Sequence, residues 1–233
     1  MARWVLDSRE GLGFFGRIVA GTTHELVNIL NIVGELAGLQ DDLVHAAAEG
    51  QPLDPARLAS LAARTRTQAE RGHTLLRHLN RFAHSADAER QLYDVGELLE
   101  SFASLTERFA RLSRVSLACH PPHRTVVLEG NPFAVHLALF LCLDAALASA
   151  SSQRAVSLQA EPEEGGVLLV VEGADPVAPA ATEALTGRLA QVLPACPAQL
   201  ASLPGANDRF RVCLRLVSGP PAGTEEKEAD CAS

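Results

Sequence analysis

No basic block runs through these 233 residues, and the formal net charge is −8. Without clustered lysine and arginine nothing neutralises a phosphate backbone, which argues against a nucleic-acid surface. The same shortage argues against docking on an anionic membrane. No Cys-x-x-Cys pair occurs either: the five cysteines (Cys119, Cys142, Cys196, Cys213 and Cys231) are scattered and odd in number. That pattern offers no disulfide framework and fits a reducing compartment. Long apolar runs are missing as well. The most apolar stretch, residues 133–148, is interrupted by His136 and Asp144 and falls short of the ~20 residues that a membrane span requires. Residues 1–10 hold no apolar run suited to a signal peptide. The expectation is a cytoplasmic protein with no membrane partner.

What is present is ordinary globular composition, 47% hydrophobic and 21% charged, in a chain long enough for one large or two modest domains. Residues 13–44 carry the helical period. Thr22, Leu26, Ile29, Val33 and Leu36 fall on one side, prolonged by Phe15, Ile18 and Val19 before them and by Leu43 and Val44 after. His24, Asn28, Asn31 and Glu35 fall on the opposite side as one exposed stripe. The helix therefore displays an imidazole to solvent, with the carboxylate of Glu25 as its chain neighbour.

Residues 49–55 form a turn in which Asp54 suits an N-cap and Pro55 the first helical position. The helical period resumes over 56–83 through Leu58, Leu61, Ala62, Thr65, Ala69, Leu76, Leu79 and Phe82. Two long helices joined by a short loop predict an antiparallel hairpin. One hairpin alone cannot bury both apolar stripes, so a second copy is expected to complete a dimeric four-helix bundle about a two-fold axis.

Residues 84–91 read as a linker, and beyond them the pattern changes. An amphipathic helix is predicted over 94–112 with Asp94 as cap, and short strands over 115–119 and 125–129. A helix apolar almost all round follows at 132–149. Strands are expected at 154–160 and 167–172 around Gly165-Gly166, a helix at 180–192 and a strand at 209–217. The fold class is α+β: a helical hairpin (1–85), an α/β two-layer sandwich (92–218), and a tail (219–233) expected to be disordered.

His24-Glu25-Leu26-Val27-Asn28 departs from the zinc-binding H-E-x-x-H helix at its second histidine, so the metalloprotease reading fails. Cys119, His120 and His123 share a turn, but two prolines separate the histidines and no partner cluster exists. No metal site is expected.

The stretch T-H-E-L-V-N-I-L-N-I (residues 23–32) resembles the H-box of two-component sensor histidine kinases, a pattern close to S-H-E-L-R-N-P-L. His24, Glu25, Leu26, Asn28 and Leu30 match, while Val27 and Ile29 replace the usual arginine and proline. L-L-R-H-L-N-R-F (75–82) is similar to the partner helix of that family's dimerisation and phosphotransfer domain. Y-D-V-G-E-L-L (93–99) resembles the start of its ATP-binding lobe. The resemblance implies that His24 is a phosphoacceptor. Glu25 would accept a hydrogen bond from its ring or orient it, and Asn28 would position a water for dephosphorylation. Asn31 and Glu35, with Arg77 and Arg81 of the second helix near the height of His24, would form the docking strip for a partner.

The second half departs from that family. Leu141 and Ala145 stand where its two asparagines belong, and alanine cannot coordinate magnesium. Its D-x-G-x-G loop aligns with Glu172-Gly173-Ala174-Asp175-Pro176, where Ala174 and Pro176 replace glycines and proline removes the backbone freedom such a loop needs. Residues 185–204 hold one glycine, Gly187, where a phosphate-covering glycine-rich stretch is due. The expectation is a lobe of ATP-binding shape that binds no ATP and needs no cofactor of its own. The chain then resembles ChpT-type histidine phosphotransferases. It would relay phosphoryl groups to or from the aspartate of response-regulator receiver domains, with Mg²⁺ supplied by the receiver. An imidazole is substantially neutral at cytoplasmic pH and can attack phosphorus. Two alternatives remain: a non-catalytic dimer that sequesters a receiver or kinase, and a divergent ATP-dependent histidine kinase.

Overall fold

The structure, a computed structural model, describes residues 8–151, 154–196, 198–204 and 209–217. Helix α1 (Arg9–Ala48) begins where the Ser8 side chain accepts from the Gly11 amide at 2.9 Å, and the chain turns back through Gly50 at φ +92°, a conformation that favours glycine. Helix α2 (Pro55–His84) starts as its sequence predicts, with Asp54 accepting from Ala56 and Arg57 at 2.9 and 3.2 Å. The two helices form the antiparallel hairpin, its register marked by Phe14 beside Phe82 and Ile29 beside Gly72.

The second half is a sheet-containing lobe. Strand β1 (Gln91–Asp94) leads into α3 (Val95–Leu112), whose cap is Asp94, accepting from the Glu97 amide at 2.8 Å. Then come β2 (Ser116–His120), β3 (Val127–Gly130), α4 (Pro132–Ser149), β4 (Ala155–Glu163), β5 (Gly166–Pro176), α5 (Pro179–Val192), β6 (Ala198–Ser202) and β7 (Arg209–Val217). Strands β1 and β3 pair antiparallel as a two-stranded ribbon. The main sheet runs β2-β4-β5-β7-β6, with β2 and β4 parallel and the other pairs antiparallel. Its inner face (Val156, Leu158, Leu169, Val171, Val212 and Leu214) is buried within the core that α3 and α4 share. Against the sequence expectation, helix α4 is by length and composition apolar enough to cross a membrane, but 72% of it is buried inside the protein, as in a core helix.

Four further features differ from the sequence expectation. β1 occupies the end of the expected linker and the residues after it, and β6 was not foreseen, because four and five residues are too short to show a period. β5 does not end near residue 172 but continues to Pro176, held by pairing with β7 that shifts register between Glu172 and Pro176. The buried line of α1 is not centred on Leu26 and Val33, which are only half-buried. It runs through Phe14, Ile18, Gly21, Thr22, Glu25, Ile29 and Leu36. Hairpin and lobe also share one hydrophobic core, in which Phe14 contacts Phe82, Phe133 and Phe140 at ring-centroid distances of 5.3, 5.6 and 4.8 Å. The expected tail, 219–233, lies outside the described residues.

Candidate functional site

His24 lies midway along α1, with three helical turns and more on either side, and its side chain is exposed. Asn28, Asn31 and Glu35 are exposed along the same stripe. A long helix held at both ends by the hairpin and the lobe keeps such a side chain on a rigid mount.

Glu25 stands elsewhere. It is 7% exposed, and its two carboxylate oxygens are taken by Arg71 of α2 at 2.6 Å and Arg111 of α3 at 2.5 Å. The expectation that Glu25 orients the imidazole is therefore corrected: successive helical residues diverge by ~100°, and this carboxylate faces the lobe. A cleft of about 370 Å³ opens beside this ion pair between α1, α2 and α3, walled by Thr67, Thr74, Ser104 and Arg108, and His24 does not line it.

On α2, Arg77 is exposed and donates to Thr74 Oγ1 at 3.3 Å. Arg81 is not a free docking cation: it pairs with Glu97 of α3 at 3.2 Å, a second tie between hairpin and lobe. His78 between them is half-buried, and loss of water, then the Arg81 and Arg77 charges, hold its imidazole below the ordinary range.

In the lobe, Leu141 is 0% exposed and packed in the core, and Ala145 is half-buried. Asp144 between them is bound to Arg17 of α1 at 3.0 Å and faces Arg188 of α5 at 3.7 Å. Glu172, Ala174 and Pro176 belong to β5, with Glu172 opposite Arg211 and Pro176 opposite Arg209. β5 thus runs extended through the place where the family resemblance put a loop, with an irregularity in its pairing between Glu172 and Pro176. Burial raises the Cys119 thiol to about 11 and that of Cys142 to about 12, so neither is a thiolate near neutral pH.

The residues that sequence reasoning missed are the ionic partners Arg71 and Arg111 of Glu25, and the group Glu10, Arg17, Asp144 and Arg188. No local signal marks them, since Glu25 and Arg111 are 86 residues apart in the chain.

No family model matches this chain, and no curated protein matches it. Solved structures similar to it are histidine kinases. AdeS of Acinetobacter baumannii shares 11% identity over 79% of this chain and 96% of its own, at a TM-score of 0.48. A histidine kinase from Burkholderia phymatum shares 17% identity over 85% of this chain and 98% of its own, at 0.43. The histidine kinase ThkA, in a complex with the response regulator protein TrrA, shares 14% identity over 92% of this chain and 65% of that one, at 0.46.

Proposed function

We propose that this chain is a histidine phosphotransferase that carries phosphoryl groups between His24 and the aspartate of response-regulator receiver domains, without using ATP. The observation that carries the reading is the division of α1. Its H-box-like histidine stands exposed with Asn28, Asn31 and Glu35, while the lobe is fastened to a different face of the same helix.

In the forward step a ring nitrogen of His24 attacks the phosphorus of an aspartyl phosphate. A P–N bond forms as the P–O bond to the receiver's carboxylate breaks, and the aspartate leaves with the electron pair. The imidazolium then loses its remaining ring proton to solvent. Such transfer asks the protein for in-line positioning and charge neutralisation. A helix-mounted imidazole provides the first, and the receiver's Mg²⁺ provides the second. Asn28, one turn along and exposed on the same stripe, would hold a water for dephosphorylation.

Three observations support a lobe without nucleotide chemistry. Leu141 is sealed in the core, Asp144 between Leu141 and Ala145 is neutralised by arginine, and β5 continues to Pro176, where it pairs again with β7. The homodimer rests on a second apolar line that one chain leaves open: Leu12, Leu30 (67% exposed) and Val44 on α1, with Leu76 on α2. We place the protein in the cytoplasm, where receiver domains and reduced thiols occur together.

The test is incubation with a phosphorylated receiver bearing labelled phosphate. Acid-labile, base-stable label should appear on the wild-type chain and vanish in His24→Ala. Label that survives the substitution would remove the assignment of His24, and a receiver that binds without transferring label would favour sequestration. Labelled ATP should leave the chain unlabelled.

A further inference from the structure

Glu10, Phe14, Arg17, Gly21 and Glu25 are spaced by four, three, four and four residues, one stripe of α1. Each of them meets the lobe. Glu10 pairs with Arg188 at 2.6 Å, and Phe14 packs on Phe133 and Phe140. Arg17 pairs with Asp144 at 3.0 Å, its guanidinium 4.6 Å from the centroid of the Phe140 ring. Gly21 leaves room for the Phe109 ring, and Glu25 binds Arg111. Glu25, at the end of the stripe, also holds α2 through Arg71. It is thus the point where α1, α2 and α3 are tied together, and it is the chain neighbour of His24.

A carboxylate this deeply placed requires its cations. Removing a partner of a buried ion pair leaves an uncompensated charge, whereas the net stabilisation from the intact pair is small. Both arginines are about half exposed, with side chains 42% and 50% accessible, so solvent screens them further. The arrangement therefore contributes geometry more than stability. A charge at this point has both of its cations in one seating of the lobe and only Arg71 in others.

We propose that Glu25 is a positioning residue that holds the lobe on its stripe of α1, away from His24, and so keeps the imidazole open to a separate phosphoryl donor. Its carboxylate acts through Arg111 and Arg71 and not on the ring. The kinetic consequence rests on the phosphotransfer reading of His24, while the seating stands without it. A lobe released from Glu25 stays tethered by the short segment after α2 and competes with the visiting domain for the same face.

The test uses the full-length chain with Glu25→Gln, Arg111→Ala and the conservative Arg111→Lys, which keeps a cation on α3 within reach of Glu25 and leaves Arg71 in place. Energy transfer between a dye at Gln51 in the hairpin turn and one at Gln199 on β6 reads the seating. Transfer from a phosphorylated receiver reads the consequence. Glu25→Gln and Arg111→Ala should both broaden the distance distribution and raise the half-saturating receiver concentration about twofold, as expected when the open state falls to about half of the population. The maximal rate should be unchanged, and Arg111→Lys should keep both readouts near the wild type. Arg111 is half exposed, so its truncation tests the idea even if Glu25→Gln folds poorly. The proposal is overturned if neither variant alters the distance. It is also overturned if Glu25→Gln lowers the maximal rate at unchanged half-saturation while Arg111→Ala is silent, because Glu25 would then act on the imidazole. If the wild type accepts no label at all, the phosphotransfer reading fails, and the distance measurement alone decides the seating.

Discussion

A Cβ built on Gly21 would stand 3.3 Å from Cζ of Phe109, so α1 and α3 approach each other across a glycine. The ring has little room to retreat. It packs edge-on against Phe140 at 5.7 Å, and the Arg17 guanidinium lies 5.4 Å from its centroid.

Two effects oppose each other at this position. Gly21→Ala gains roughly 1 kcal/mol of helix propensity, while the added methyl forces the ring to shift by a few tenths of an ångström. The expected net change in urea unfolding is under about 1 kcal/mol. Gly21→Leu has no such balance and should cost about 1–3 kcal/mol by overpacking. A leucine variant as stable as the wild type would show that the lobe does not sit this close to α1.

His136 supplies a pH dependence. It is 2% exposed on α4, with Phe82 and Phe102 at centroid distances of 5.5 and 6.2 Å, and burial lowers its imidazole to about 4 against the opposing pull of the Pro132 and Leu98 backbone. The folded chain thus binds this proton more weakly than the unfolded chain, in which histidine titrates near 6.5. Between those values the unfolded state takes up a proton that the native state refuses, so stability is full above about pH 6.5 and is lost as pH falls toward 4. The contribution of this group should approach 1.4 kcal/mol per pH unit within the window. His136→Leu should flatten that part of the stability–pH curve, measured by denaturant unfolding from pH 7 to 4. An unchanged slope would assign the acid sensitivity to other groups.

Restoring asparagine to the two degenerate positions should not restore nucleotide binding. Leu141→Asn places an amide in the apolar core and should cost roughly 2–5 kcal/mol, from the lost packing together with a polar group left without partners. Ala145→Asn, at a half-buried site, should be tolerated. A titration of the tolerated variant with a fluorescent ATP analogue and Mg²⁺ should stay flat, because β5 still fills the place of the missing loop. Saturable binding by the wild type or this variant would overturn the reading of the lobe.

Much of the chain could be read from local physics. Asp54 and Asp94 announced the starts of α2 and α3, because an oxygen at the N-cap satisfies amides two or three residues away. The bounds of α4 and β7 followed from composition and alternation that need no distant partner. The display of His24, Asn28, Asn31 and Glu35 on one exposed line followed from the helical period alone.

Tertiary structure decided which side of α1 turns inward, and therefore what Glu25 does. Periodicity sorts apolar from polar residues, and it scores a glutamate as solvent-facing. It has no means of foreseeing Arg71 and Arg111, whose side chains arrive from two other helices and make a buried carboxylate tolerable. The length of β5 was likewise settled by its partner, since pairing with β7 resumes at Pro176 after a break past Glu172, which no local propensity announces. Local sequence specified the elements and the exposed histidine. Contacts between residues far apart in the chain set where the lobe rests, because charge and backbone pairing are satisfied only once the distant groups meet.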